Sequence, residues 1–273
     1  MKVSIISLIS ITILFSIPID AQKSLSISHI IKKNISYLLV NQTDSFKKKH
    51  CQLDICYPTN KKEYSTIIWF HGGGLESGSR NFPKELMNKE YAIVSVDYRL
   101  SPNVKNPTYI EDAAEAVAWV YRNIKEIGGD ESKIYLAGHS AGGYLVLMLT
   151  LDKQYLGRWN IDANKIVTTF SVSGQTTTHY TIRKERGLPM NIPIIDTYAP
   201  LNHIRKDVPP IILITGDKAL EMPARYEENA YLYALLSNFG DKTNLYQEKG
   251  FNHNTVVAPA CILIDKYICS KKE

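Results

Sequence analysis

Five residues restrict what this chain can fold into more than any others. Gly138-His139-Ser140-Ala141-Gly142 stands where a short β-rich run, residues 134–137, meets a helical run, residues 141–151. A strand that becomes a helix within so few residues must bend sharply, and only small flanking side chains let the chain close on itself, hence Gly138 and Gly142. The bend lifts the Ser140 hydroxyl out of the sheet and sets it at a helix N-terminus, where developing negative charge is favoured. The bland alternative is a glycine-rich turn with an incidental serine. The strand before it and the helix after it favour a nucleophile, so Ser140 is the first candidate functional residue.

Strand-like and helix-like runs alternate on both sides of this junction. Short β-rich runs fall at residues 51–57, 66–70, 92–97, 134–137, 166–172, 211–215 and 244–247. Ile110, Ala113, Val117, Val120, Ile124 and Ile127 recur at spacings of three and four, and Gly128-Gly129 closes that helix. Further helices are expected at 141–151, 223–239 and 256–268. Such alternation predicts an α/β fold with a mostly parallel sheet and helices on both faces. With 273 residues, 44% of them hydrophobic, the chain suits one large domain of this kind.

Two stretches interrupt the alternation. Residues 174–209 are polar and then proline-rich, with Thr176-Thr177-Thr178, Pro189, Pro193, Pro200 and Pro209; they are expected to cross the C-terminal edge of the sheet as a small cap. Residues 22–50 form an N-terminal lead-in with no assigned place, and the catalytic domain is expected over 51–273.

The first 21 residues have the pattern of a cleavable signal peptide: Lys2, an apolar run over residues 3–17, then Pro18 and Ala21 before Gln22. The run is shorter than the roughly 20 residues of a spanning helix, so stable membrane insertion is not expected. The protein is expected to be secreted or periplasmic. Its net charge of +5 comes from scattered residues and short runs such as Lys47-Lys48-Lys49, which read as solvated surface rather than a nucleic-acid patch. Export permits disulfides. Cys51 and Cys56 lie on opposite faces of one strand, and Cys261 and Cys269 are about two helical turns apart, so neither pair should bridge internally. A strand-to-helix bridge and buried free thiols both remain open. No metal-ligand spacing is present, and no cofactor is expected.

His71-Gly72-Gly73-Gly74 follows the strand-like run 66–70. Consecutive glycines let backbone N–H groups face a cavity without side-chain obstruction, which is the requirement for binding an oxyanion. Gly73, Gly74 and Ala141 are the candidate donors, while His71 is expected to bond within its loop. A general base must come later in the chain. His253, in Gly250-Phe251-Asn252-His253-Asn254, follows the last β-run, as the order Ser…acid…His requires. His203 comes before the preceding strand and His179 lies in the cap. Two carboxylates, Asp217 and Glu221, follow the run 211–215 and are candidates for the orienting acid.

Taken together, His71-Gly72-Gly73-Gly74, Asp97-Tyr98-Arg99-Leu100-Ser101-Pro102 and Gly138-His139-Ser140-Ala141-Gly142-Gly143 resemble the hormone-sensitive-lipase-like branch of the α/β-hydrolase esterases. Gly216-Asp217 through Arg225-Tyr226-Glu227-Glu228-Asn229 resembles an exported bacterial subgroup of esterase/lipase homologues. The resemblance covers roughly residues 51–269. It implies an α/β-hydrolase fold and a metal-independent serine carboxylesterase acting on short acyl or aryl esters. The implied partner is a small-molecule ester, with feruloyl and acetyl-sugar esters among the substrates of related enzymes. It also implies that Asp97–Pro102 is a structural turn. The family's acid position falls on Ala219. Glu221, whose longer side chain could span the gap, is therefore preferred to Asp217, whose shorter one suits loop N–H groups. Two other functions stay open: an amide-cleaving hydrolase, arylformamidase-like or exopeptidase-like, and an inactive hydrolase-fold binding protein, favoured only by Ala219.

Overall fold

The computed structural model of the chain describes residues 27–39, 43–240 and 242–271, so the expected signal peptide lies outside the described residues. Among the described residues, eight strands form one sheet: β1 (His29–Ser36), β2 (Gln52–Pro58), β3 (Tyr64–Phe70), β4 (Ala92–Val96), β5 (Gly129–His139), β6 (Thr168–Val172), β7 (Ile211–Gly216) and β8 (Thr243–Glu248). Their order is β1-β2-β4-β3-β5-β6-β7-β8. β2 runs antiparallel to both of its neighbours, and every pairing from β4 to β8 is parallel. The helices are α1 (Ser45–His50), α2 (Thr108–Asn123), α3 (Ala141–Leu151), α4 (Lys153–Gly157), α5 (Tyr180–Glu185), α6 (Arg225–Ser237) and α7 (Val257–Ser270).

The two-residue period of a strand divides the core between the two faces of the sheet. In β3, Ile68 and Phe70 join one apolar layer with residues of α2 and α3, such as Val117 and Leu145. Ile67 and Trp69 join the opposite layer, with Ala260 and Ile264 of α7. Strands buried on both faces read as continuous apolar runs, which is why they stand out in the sequence. Every residue of α3 is buried. This helix therefore carries no polar stripe. α6 packs a third, smaller layer, with Leu232 and Leu236 against Leu147 and Leu213.

The lead-in acquires a place. Residues 29–36 form the edge strand β1, which pairs antiparallel with β2. Its sequence, HIIKKNIS, is almost wholly exposed. An edge strand guarded by lysines shows no apolar alternation, and its place in the sheet is set by β2. α6 starts at Arg225, two residues later than Pro223 suggested, because Ala224 is left-handed with φ 60°. All four cysteines are free thiols, and only Cys269 is exposed.

The expected cap is a short one, consisting of α5, loops and a 3-10 turn at Pro200–His203. The first turns of α6 hold its beginning. Arg225 Nη1 donates to Ser173 O at 2.9 Å, Glu228 Oε2 accepts the N–H groups of Thr176 and Thr177 at 3.1 and 3.2 Å, and Asn229 Nδ2 donates to Gly174 O at 2.8 Å. Spacings of three and four put these side chains on one helix face. That accounts physically for the segment from Arg225 to Asn229.

The chain leaves β3 for β4 on one side, whereas β5 lies on the other side of β3. Such a switch point opens a crevice at the C-terminal strand ends. Register then aligns the exits. Phe70 pairs with Gly138, Gly138 with Ser171, and Val172 with Ile214. The loops beginning at His71, Ser140, Ser173 and Asp217 therefore leave the sheet side by side.

The turn 97–102 fixes the first of these loops. Tyr98 Oη donates to His71 O and Ser101 N to Leu75 O, both at 2.8 Å. The turn is anchored by Arg99, whose Nε and Nη2 bond the fully buried Asp112 carboxylate on α2 at 2.8 and 2.7 Å. Asp112→Ala leaves that guanidinium without its counter-charge. Urea denaturation should show a loss of about 3–5 kcal/mol in unfolding free energy; a loss below about 1 kcal/mol would mean that the pair does not anchor the turn.

Candidate active site

Ser140 sits at the bend between β5 and α3 with φ 54° and ψ −114°. A side-chain-bearing residue held there is strained, and the surroundings must enforce it. They do so by close packing. A Cβ on Gly142 would lie 2.0 Å from Phe70 O, so the bend closes against β3 only when that residue is glycine. Ser140 N donates to Val172 O at 2.8 Å, fixing the bend to β6 as well.

The Ser140 hydroxyl meets His253 Nε2 at 2.9 Å. His253 Nδ1 lies 2.5 Å from Glu221 Oε1. The Glu221 side chain is fully buried, and it takes further bonds from Ser173 Oγ at 2.6 Å, Gly216 N at 3.1 Å and Met222 N at 3.0 Å. Burial by itself would raise this carboxyl, but the bonds from His253, Ser173 and Met222 outweigh it and hold the pKa at about 2. With Glu221 ionised and accepting at Nδ1, the imidazole presents Nε2 to the serine and can take its proton.

Asp217 does a different job. Its carboxylate accepts Ala219 N at 3.0 Å and Gly250 N at 2.9 Å, and its own N–H donates to Phe251 O at 2.7 Å. It knits the loop after β7 to the loop after β8 and does not touch His253. Of the two candidate carboxylates, it is Glu221, two residues beyond Ala219, that meets His253.

The glycine loop lies against the bend: a Cβ on Gly72 would be 3.2 Å from Ser140 Cβ. Among the described residues, the loop hydrogen bonds use none of the N–H groups of Gly73, Gly74 and Ala141. At Gly74, φ is 66° and a Cβ would fall 1.7 Å from Tyr180 Oη, so cap packing as well as backbone conformation demands glycine. The neighbouring cap residue, Thr181, donates its hydroxyl to Gly74 O. His71 bonds within the loop to Gly72 O at 2.6 Å and stacks on Tyr98. His203 bonds Thr197 O, and His179 caps α5 by accepting Thr181 N.

Three supporting residues escaped sequence reasoning. Ser173 holds Glu221, and its place directly after β6 at the crevice was the available signal. His139, inside the serine motif, lies 2.8 Å by Nε2 from His253 O and so donates to it. Burial, together with nearby His253, lowers the His139 pKa to about 4, which keeps it neutral near pH 7. Tyr180 reaches Gly74 from a cap whose course had no sequence pattern. Among the described residues, no group of His, Cys, Asp and Glu could hold a metal ion.

The sheet and the placement of the bend define an α/β-hydrolase fold. Within it, the chain belongs to the BD-FAE family, whose model matches residues 53–233. Carboxylesterase NlhH of Mycobacterium tuberculosis is 36% identical over 91 residues, which cover 32% of this chain and only 28% of that relative. The arylesterase of Saccharolobus solfataricus is 28% identical over 264 residues, covering 85% of this chain and 83% of its own. A solved structure described as a truncated form of a carbohydrate esterase from gut microbiota shares the fold. Its TM-score is 0.71 at 18% identity, covering 90% of this chain and 97% of that one.

The two carboxylates should separate cleanly on mutation. Glu221→Gln should lower turnover by about 10²- to 10⁴-fold, whereas Asp217→Asn should lower the melting temperature and keep turnover within tenfold. The reverse pattern would exchange their roles. Because the Glu221 pKa falls from its ordinary 4.5 to about 2, its stabilising contribution is complete above about pH 4.5 and disappears as pH falls towards 2. The stability advantage of the native chain over Glu221→Gln, measured by denaturation, should be level from pH 8 to pH 5 and shrink by pH 3.

Proposed function

We propose that the protein is a serine carboxylesterase that cleaves short-chain acyl or aryl esters through an acyl-enzyme intermediate. The observation that carries the proposal is the continuous hydrogen-bond chain from Ser140 through His253 to the buried Glu221. His253 takes the Ser140 proton as Oγ attacks the ester carbonyl. The N–H groups of Gly73, Gly74 and Ala141 receive the oxyanion, each such donor being worth about 3 kcal/mol in systems of this kind. His253 then protonates the leaving alcohol. Water enters, gives a proton to His253 and attacks the acyl-enzyme, and the acid departs as the proton returns to Ser140.

The carboxylesterase and arylesterase relatives support this chemistry, and the carbohydrate-esterase neighbour extends the proposal to carbohydrate-linked esters. Export completes it: the apolar run of residues 3–17 supports removal of residues 1–21 and a secreted or periplasmic enzyme. Among the described residues, no helix is long and apolar enough to cross a membrane.

Ser140→Ala should remove ester hydrolysis almost entirely, on the order of 10⁶-fold in turnover, and abolish labelling by a fluorophosphonate probe at an unchanged melting temperature. A folded variant that keeps more than a few per cent of activity would overturn the nucleophile assignment. N-terminal sequencing of the mature protein should begin at Gln22; a start at Met1 would replace the signal peptide with an uncleaved segment.

A further inference from the structure

Between the cap and the start of α6 lies a cleft of about 590 Å³ that the proposed chemistry leaves unused. Two of its lining residues also touch the candidate site. Tyr180, whose hydroxyl lies against Gly74, forms one wall, and Met222, whose N–H donates to Glu221, forms another. Met190, Pro193 and Pro223 make much of the remaining lining apolar.

Two arginines and two glutamates line this cleft, but one of the arginines is left out of their pairing. Arg225 is paired, its Nε 3.1 Å from Glu228 Oε1. The other Glu228 oxygen is occupied by Thr176 and Thr177. Glu227 pairs with Lys218 at 2.9 Å. Arg183 has no such partner. It is 6% exposed, its Nη1 donates to Met190 O and Ile192 O at 3.1 and 2.6 Å, and its Nε has no hydrogen-bond partner. Among the described residues, no carboxylate lies within ion-pair distance of it, and Glu228 acts on it only from farther away. A guanidinium stays charged at any working pH. Holding it out of water without a counter-charge is unfavourable unless one arrives with a ligand.

We infer that this cleft is a substrate subsite for a carboxylate, so that esters with a carboxylate on the acyl or the alcohol arm dock it on Arg183. The inference rests on the esterase proposal above. A planar carboxylate suits the guanidinium fork. One guanidinium without an ion pair suits a single negative charge, while Glu227 and Glu228 disfavour a doubly charged phosphate. The apolar lining suits an aliphatic or aromatic spacer between the carboxylate and the ester.

Two matched substrate pairs test the inference, one for each arm. The acyl pair is the 4-nitrophenyl half-ester of glutaric acid against 4-nitrophenyl pentanoate. The alcohol pair is 4-acetoxybenzoate against 4-acetoxybenzamide. The native enzyme should prefer the anionic member of at least one pair by about 10- to 100-fold in kcat/KM, the range expected for hydrogen bonds to a charged group. The preference should reside in KM. Arg183→Gln should bring the ratio close to one, and Arg183→Lys, which keeps the charge without the fork, should retain part of it. No preference in either pair would overturn the inference. So would an Arg183→Gln variant that slows both members equally, because that result assigns Arg183 only to holding the 190–192 backbone.

Should no ester of either pair be hydrolysed by the folded protein, the esterase proposal fails separately. Calorimetric titration with glutarate monomethyl ester against methyl pentanoate, and with 4-hydroxybenzoate against 4-hydroxybenzamide, then decides the subsite without turnover. Tighter binding of an anionic member that Arg183→Gln abolishes supports it, and equal binding in both pairs refutes it.

Discussion

A carboxylate can be kept out of water only when hydrogen-bond donors surround it, and the row of loops at the C-terminal strand ends is organised around meeting that condition for Glu221. Its donors come from separate parts of the chain: His253 after β8, Ser173 after β6, Gly216 at the end of β7 and Met222 in its own loop. They meet because parallel pairing brings the strand exits into one row. The same bonds that keep Glu221 ionised set the tautomer and direction of the imidazole, so folding and alignment of the serine depend on one cluster. Asp217 and His139 reinforce it through the backbone, one joining the two loops and the other holding His253 by its carbonyl.

What could be read in the sequence were features in which local chemistry decides the structure. The bend at Ser140 is local, because close approach to Phe70 O excludes anything larger than glycine at 142. The central strands were legible because burial on both faces leaves unbroken apolar runs. Gly128, left-handed with φ 97°, closes the segment after α2 where the periodicity ended. β1 was not legible, since exposed lysines at an edge leave no pattern. The choice between Asp217 and Glu221 turns on how one loop folds back over His253, a matter of tertiary contact that spacing alone leaves open. Ser173 and His139 escaped for the same reason: their partners lie 48 and 114 residues away.

The segment from Arg225 to Asn229 shows how a pattern can be noticed before its mechanics are understood. As a string it offers no more than a resemblance. As a helix face it is a clamp, with a guanidinium, a carboxylate and an amide binding the backbone of residues 173–177. The clamp also fixes Ser173, whose hydroxyl serves Glu221. A motif remote from the serine thereby reaches the Ser140–His253–Glu221 chain through the backbone.

The first part of the cap is fastened twice: residues 173–177 to α6, and α5 to the glycine loop through Thr181 and Tyr180. A lid hinged to swing open would need one of these attachments to be weak, and neither is peripheral to the chemistry. The shape of the cleft and the backbone geometry at Gly74 are therefore parts of one mechanical unit. For evolution the two are coupled variables: a cap remodelled to admit a new substrate also shifts Gly74. New specificity in this scaffold would then come more readily from side chains facing the cleft than from insertions or deletions in the cap itself.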